Sequence, residues 1–413
     1  MANINFKNSE LDPIPNDWEV KALGEITARI TVGIANSATQ AYTDNGIVMF
    51  RNQNIKQNYL DDTDLVCIDE VFESNYQNKR LKTGDLLIAR TGYPGTTCVV
   101  PAKYENAQTF TTLIATPNKY VAESSFLAFY MNSPLGKMFF ESAQIGGAQQ
   151  NVNAHTLETM PIPLPPLPEQ RRIAAALSDI DALIANLDAL IDKKRLIKQA
   201  TMQQLLSGKK RINGFCDKWV EYTIEDIAEY RRGSFPQPYG LSQWYGGPNA
   251  YPFVQVADVA NEGFRLNNKT QQMISVLAQR MSVFVPKGTV LVTLQGSIGR
   301  VAITQYDSYV DRTLAIFENY KIKIDKSFFA YKLSETFYYE AQKAPGGIIK
   351  TITKDAFSSF SLLLPPSLAE QTAISKILSD MDEEISLLEA KKEKYTHLKQ
   401  GMMSELLSGR IRI

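Results

Sequence analysis

The sequence predicts an α+β fold: two mixed α/β domains separated by two long antiparallel coiled-coil helices, with a pseudo-two-fold internal duplication. Three observations carry this. "LPPLPEQRRIAAALSDIDALIANL", from Leu164, returns as "LPPSLAEQTAISKILSDMDEEISLL" from Leu364, and a shift of 201 positions aligns Glu169–Ile212 with Glu370–Ile413 at about 20 identities in 44 pairs. Each copy holds an apolar seam at coiled-coil spacing. The segments ahead of the two copies also correspond, with Trp18 and Trp219 again 201 apart.

The chain then reads in order as residues 1–160, a first mixed domain; 161–212, a central helical region; 213–363, a second mixed domain; and 364–413, a distal helical region. Within the first domain, "PNDWEVKALGEI" (Pro15–Ile26) has its counterpart in "CDKWVEYTIEDI" (Cys216–Ile227). "LKTGDLLIARTGYPGTTCVV" (Leu81–Val100) matches "FVPKGTVLVTLQGSIGRVAI" (Phe284–Ile303) as a glycine turn, an apolar strand, a Gly-x-x-Gly turn and a second strand. "IGGAQQNVNAHTLETMPIPLPP" (Ile145–Pro166) matches "PGGIIKTITKDAFSSFSLLLPP" (Pro345–Pro366).

The central helix follows a Pro-Pro stop and presents Ile173, Leu177, Ile180, Ile184, Leu187 and Ile191 at 4-3-4-3-4 spacing. The distal helix repeats the seam with Ile374, Leu378, Met381, Ile385 and Leu388. Each ends at "LLSG" (Leu205–Gly208, Leu406–Gly409), where glycine takes a left-handed cap. About 38 residues lie between stops, or roughly 57 Å of helix. A lone helix with such a stripe ordinarily faces its own domain's core, but two matched ones of this length predict packing on each other. An antiparallel pair returns the chain toward its first domain, giving a dumbbell.

Bulk properties exclude several classes. The 44 basic residues balance the 44 acidic ones, and residues 1–160 hold 12 basic against 17 acidic, which counts against a nucleic-acid coat protein relying on bulk charge and leaves any DNA binding to local patches or a partner. No apolar run approaches the roughly 18 residues of a membrane span, and the opening residues lack a signal-peptide core, which predicts a cytoplasmic protein. Cys67, Cys98 and Cys216 have no CxxC spacing and are expected as buried small hydrophobes. His155 and His397 are isolated, so no metal site is expected. "LPPL" and "LPPS" resemble the Asn/Asp-Pro-Pro-aromatic loop of amino-methyltransferases, but Leu164 and Leu364 cannot hold a target amino group. "GYPG" and "GSIG" lack the context of a phosphate-cradling loop.

These motifs together resemble the specificity subunit of type I restriction-modification systems over essentially the whole chain: the "PPLPEQ" and "PPSLAEQ" helix starts, the "LSDID" and "LSDMD" continuations, the two "LLSG" ends, and the paired glycine blocks. The resemblance implies that residues 1–160 and 213–363 are target recognition domains, each reading one half of a bipartite, asymmetric double-stranded DNA site. It implies helices that dock two methyltransferase subunits, restriction subunits recruited through these, and no catalysis by the chain. It further implies no cofactor of its own, with S-adenosylmethionine, ATP and Mg bound by partner subunits. A second reading, a coiled-coil structural adaptor that does not bind DNA, explains the helices but not two diverged, strand-rich domains.

DNA readout calls for Arg toward guanine, Asn or Gln toward adenine, and Lys, Arg, Ser or Thr on phosphates. In the first domain three polar loops qualify: Arg51, Asn52, Gln53 and Asn54; Arg90, Thr91 and Tyr93; and Gln149, Gln150 and Asn151. Their counterparts in the second domain are Gln255 with Asp258, Gln295 with Ser297, and Lys350 with Thr351, while "YRRGSFPQ" adds Arg231 and Arg232. Polar residues at turns often only solvate loops; three aligned loops per domain favour a binding face.

Residues 1–212 alone would leave the seam of Ile173, Leu177, Ile180, Ile184 and Leu187 exposed, at about 1.5–3 kcal/mol of lost burial per side chain. This half is expected to dimerise, and replacing Ile180 and Ile184 with Asp to abolish dimerisation. Light scattering decides the matter, a stable monomer showing that the seam has no partner of this kind.

Overall fold

In "DLLIAR", successive side chains enter opposite cores: Leu86 and Ile88 join one buried cluster and Leu87 another. Such alternation requires a strand covered on both faces. Its counterpart behaves likewise, with Val290 and Val292 in one cluster and Leu291 in the next. The computed structural model describes residues 6–8, 13–36, 38–142, 152–343, 352 and 354–413. The chain forms two units, Met1–Asp188 with Ala390–Ile413, and Ala189–Glu389.

The first unit's main sheet is antiparallel, in the order Thr97–Val99, Leu86–Ile88, Leu113–Pro117, Thr27–Val32. A second sheet has the order Gln108–Thr109, Ile47–Phe50, Val66–Ile68, Tyr42–Thr43, its first two strands being parallel. The second unit repeats the main sheet and the parallel pair of the second sheet, but there the edge strand Val283–Val285 joins the parallel partner Ser308–Val310, whereas in the first unit Tyr42–Thr43 joins Val66–Ile68. Its main sheet runs Ala228–Arg232, Leu314–Tyr320, Val290–Thr293, Val301–Ile303, and its second sheet again holds one parallel pair, Tyr251–Val254 with Ser308–Val310. A two-stranded ribbon precedes each long helix, Glu19–Ala22 with Pro161–Leu164 and Val220–Thr223 with Ser361–Leu364.

The long helices span Leu167–Leu206 and Leu368–Leu407, 40 residues each. Within the first unit Asp181 pairs with Lys399 and Asp188 with Lys392, both at 2.5 Å, so one helix ascends as the other descends. Within the second unit Lys198 pairs with Asp382 and Arg195 with Glu389, the same antiparallel sense. Most seam residues are buried: Ile173, Leu177, Ile180, Leu187, Ile374, Leu378 and Ile385; Ile184, Met381 and Leu388 are half-buried. Ile173 and Leu177 share a cluster with Met403, Leu406 and Leu407 of the other helix and with Trp18, Phe126 and Tyr130 of the globular part. Leu205 and Leu206 likewise join Ile374, Leu378, Trp219 and Phe328. The seam thus serves domain cores as well as the helix pair.

The "EQ" at each helix start has two separate tasks. Glu169, almost fully buried, receives a bidentate bond from Arg412 (2.5 and 2.6 Å), which also grips Asp17 (both bonds 2.8 Å) and lies over the Trp18 ring. Arg412 holds the Asp17 carboxyl below its ordinary range. Glu370 receives the same fork from Arg211 (2.6 and 2.8 Å), over Trp219. The glutamine ties the helix start to the preceding domain: Gln170 donates to Pro165 O and accepts from Glu123 N, and Gln371 donates to Pro365 O and accepts from Asp325 N.

Of the cysteines expected to be buried, Cys98 is, and burial pushes its thiol up; Cys67 is half-buried. Cys216 is exposed, because it lies in the connection between the first long helix and the ribbon strand Val220–Thr223. Among the described residues no helix is long and apolar enough to cross a membrane.

The "LLSG" glycines adopt φ +70° (Gly208) and +71° (Gly409). A Cβ on Gly409 would lie 2.5 Å from the Pro15 ring, whereas one on Gly208 would lie 3.3 Å from Trp219. Gly208→Ala is therefore expected to cost about 1–2 kcal/mol, the backbone penalty alone, and Gly409→Ala clearly more. Urea unfolding of the two variants checks the order; equal losses would show that the left-handed backbone sets the whole penalty.

Candidate nucleic-acid interface

Register brings the described polar loops of each unit to one end of its sheets. In the first unit Phe50 pairs with Thr109, residues 110–112 cross to the main sheet, and Leu113 there pairs with both Ile88 and Val32. The turn after Phe50 and the hairpin turn after Ile88 must then lie close together. They line one open cleft of about 1020 Å³, to which Arg51, Asn52, Gln53, Thr91 and Tyr93 all contribute. Arg90 is half-buried beside it, its Nε donating to Val152 O at 3.1 Å.

Each side chain of the first loop has a distinct setting. Arg51 donates to the Asp64 carboxylate at 2.8 Å and Gln53 donates to the same oxygen at 2.8 Å, so one acid orients both. Asn52 accepts from Arg90 N and donates to Thr111 Oγ1. Asn54 does not share the cleft: it is buried, accepts from Arg51 N at 2.9 Å and donates to the carbonyls of Asp61 and Asp64. It holds the turn that presents its neighbours.

The hairpin turn is shaped by close packing. A Cβ on Gly95 would lie 2.2 Å from the Phe140 ring, and one on Gly299 would lie 2.8 Å from Phe337. Glycine is thus required in both units for an aromatic ring to support the turn from behind. Tyr93 at its tip is 84% exposed, an amphipathic ring available for stacking. Lys56 and Lys137, absent from the candidates legible in the sequence, line the same cleft from a short strand and from the helix Pro134–Ser142. The only sequence signal for Lys56 was its place within "FRNQNIKQN", and Lys137 had none.

In the second unit Val254 pairs with Val310, Leu314 with Thr293, and Ala315 with Arg232. Gln255, the turn bearing Gln295 and Ser297, and the end of the strand bearing Arg231 and Arg232 therefore gather at the matching end. Gln295, Ser297 and Arg232 are exposed, while Arg231 pairs with Glu318 at 3.4 Å. Asp258 takes Asn54's role, accepting from Gln255 N at 2.8 Å and Gln271 N at 2.7 Å; its complete burial pushes its carboxyl up. Gln149, Gln150, Asn151, Lys350 and Thr351 lie outside the described residues.

This geometry suits contact with an extended polyanion bearing hydrogen-bonding edges: lysines at the rim, oriented Arg and Gln, and an exposed tyrosine. Residues 15–193 and 216–396 each match the type I restriction modification DNA specificity domain. The chain is 28% identical to the putative type I restriction enzyme MjaX specificity subunit of Methanocaldococcus jannaschii, over 99% of this chain and 97% of that one. It is 22% identical to the MjaVIII specificity subunit of the same organism, over 99% and 96% of the two chains. With the EcoKI specificity subunit of Escherichia coli it shares 24% identity, over 51% of this chain and 46% of that one. In fold it is similar to the type I restriction-modification S subunit from M. genitalium, with a TM-score of 0.60 at 14% identity, over 98% and 97% of the two chains. A chain from the structural study of complex assembly and conformational transition of the type I R-M system gives a TM-score of 0.60 at 19% identity, over 96% and 99%. Two matched domains, together covering most of the sequence, place this chain in the family of type I restriction-modification DNA specificity subunits.

Proposed function

We propose that this specificity subunit reads a bipartite, asymmetric double-stranded DNA site, one half-site per unit, and leaves methyl transfer to partner subunits. One observation carries the reading: the two units build the same loops at the same sheet end but furnish them differently. Arg51, Asn52 and Gln53 stand where the second unit has Gln255, Val256 and Ala257. One scaffold with two chemistries fits two different half-sites. A coiled-coil adaptor that does not bind DNA has no use for such loops, and it leaves the match to a DNA specificity domain unexplained.

Two methyltransferase subunits would dock on the long helices, with restriction subunits joining through them. In the second unit Leu190 and Ile197, one heptad apart on the first helix, are each more than a third exposed, apolar positions open to such a partner. S-adenosylmethionine, ATP and Mg would be held by those partners, and the assembly would work in the cytoplasm. The Pro-Pro motifs act as helix stops here, Pro165 and Pro365 offering their carbonyls to Gln170 and Gln371.

The chain purified alone with S-adenosylmethionine and DNA is expected to transfer no methyl groups, and co-expressed with its methyltransferase partner to direct adenine methylation to one bipartite sequence. Mapping modified adenines across a genome tests this, and methylation by the chain alone would refute it. Lys56→Gln and Lys137→Gln should each lower the slope of log affinity against log salt by about one while leaving the preferred sequence unchanged. A shifted base preference in either variant would show a lysine reading a base instead of a phosphate.

A further inference from the structure

The two units secure their reading loops by different means. Gly33 donates to Thr112 O and Gly233 to Leu314 O, which makes Thr111 and Thr313 counterparts. Ala89 N bonds Thr96 O and Thr293 N bonds Arg300 O across the two hairpin turns, which makes Arg90 and Leu294 counterparts. In the second unit these residues meet directly: Leu294 N donates to Thr313 O at 2.8 Å. In the first unit they do not. Arg90 N donates to Asn52 Oδ1 at 2.8 Å, and Asn52 Nδ2 donates to Thr111 Oγ1 at 3.2 Å. Thr111 has a left-handed φ of 55°. Val256, at Asn52's place, has no polar atom to insert.

We propose that Asn52 is a positioning residue, spliced between the hairpin turn and the crossing segment, that sets the geometry of the first cleft and so the specificity of the first half-site. Its amide looks at first like an adenine reader, since a free Asn side chain would fit that task. Both of its polar atoms are instead engaged inside the protein. Removing the amide separates Arg90 from Thr111, and the turn carrying Thr91 and Tyr93 then shifts against the turn carrying Arg51 and Gln53. The second unit is immune to such a change because its link is backbone to backbone.

The inference rests on the proposed function, and one experiment separates the two. The full chain with its methyltransferase partner is used to select bound duplexes from a random-sequence library. If the wild-type chain selects no bipartite site, the proposed function fails and this inference with it. Given that site, Asn52→Ala should weaken preference at every position of the first half-site, with about 10- to 100-fold lower affinity for the wild-type sequence. The second half-site should be untouched, which also shows that the variant is folded. Asn52→Asp keeps an acceptor for Arg90 and can accept from Thr111, so it should retain the first half-site sequence while binding more weakly near phosphates. Three results would overturn the proposal: Asn52→Ala behaving as wild type, a change confined to one base with Asn52→Asp switching that base toward cytosine, or loss of both half-sites together.

Discussion

Each unit depends on a carboxylate buried at the start of one long helix and answered by an arginine from beyond the end of the other. Glu169 and Glu370 are 2% and 0% exposed. An unanswered charge in such a place would cost several kcal/mol. Arg412 and Arg211 supply the answer, each in a bidentate fork and each over a tryptophan. The helix N-terminus adds favourable potential at the glutamate. This interaction fixes helix direction in each unit, because the tail of one helix can reach the head of the other only if the two run oppositely.

The clasps are alike without being equal. Arg412 holds two carboxylates, Asp17 and Glu169, whereas Arg211 holds Glu370 and the Asp217 carbonyl. Position 218, the counterpart of Asp17, is a lysine. Trp18 Nε1 donates to Glu169 at 3.3 Å, while Trp219 Nε1 is buried without an acceptor among the described residues. The duplication has therefore kept the residues that close the charge and relaxed those that only reinforce it.

Much of this was legible in the sequence. Periodicity and repetition are local or self-referential signals, so the two helices, their stops, their glycine caps and the hairpin with its Gly-x-x-Gly turn could all be read directly. Pairings between distant residues could not. Nothing local to Glu169 points to a residue 243 positions away. Within "RNQN" the four side chains look interchangeable, yet Asn54 is interior, Asn52 bridges two segments at the cleft wall, and Arg51 and Gln53 are held by one acid, Asp64. Which of four adjacent polar groups turns inward is decided by the handedness of a short turn and by Asp64, ten residues on. Lys137 was invisible for a related reason, since only the fold brings its helix to the cleft.

The make-up of the first unit also has a bearing on how the protein is made. That unit draws on residues 1–188 and 390–413, and its core includes Met403, Leu406 and Leu407. Multidomain chains generally fold from the N-terminus as they leave the ribosome. Here the unit translated first cannot close its core until residues 390–413 emerge, so the second unit, contiguous from residue 189 to 389, is the one able to finish early. During that interval the growing chain carries a nearly complete domain with one wall missing, its apolar surface open to any passing hydrophobic partner.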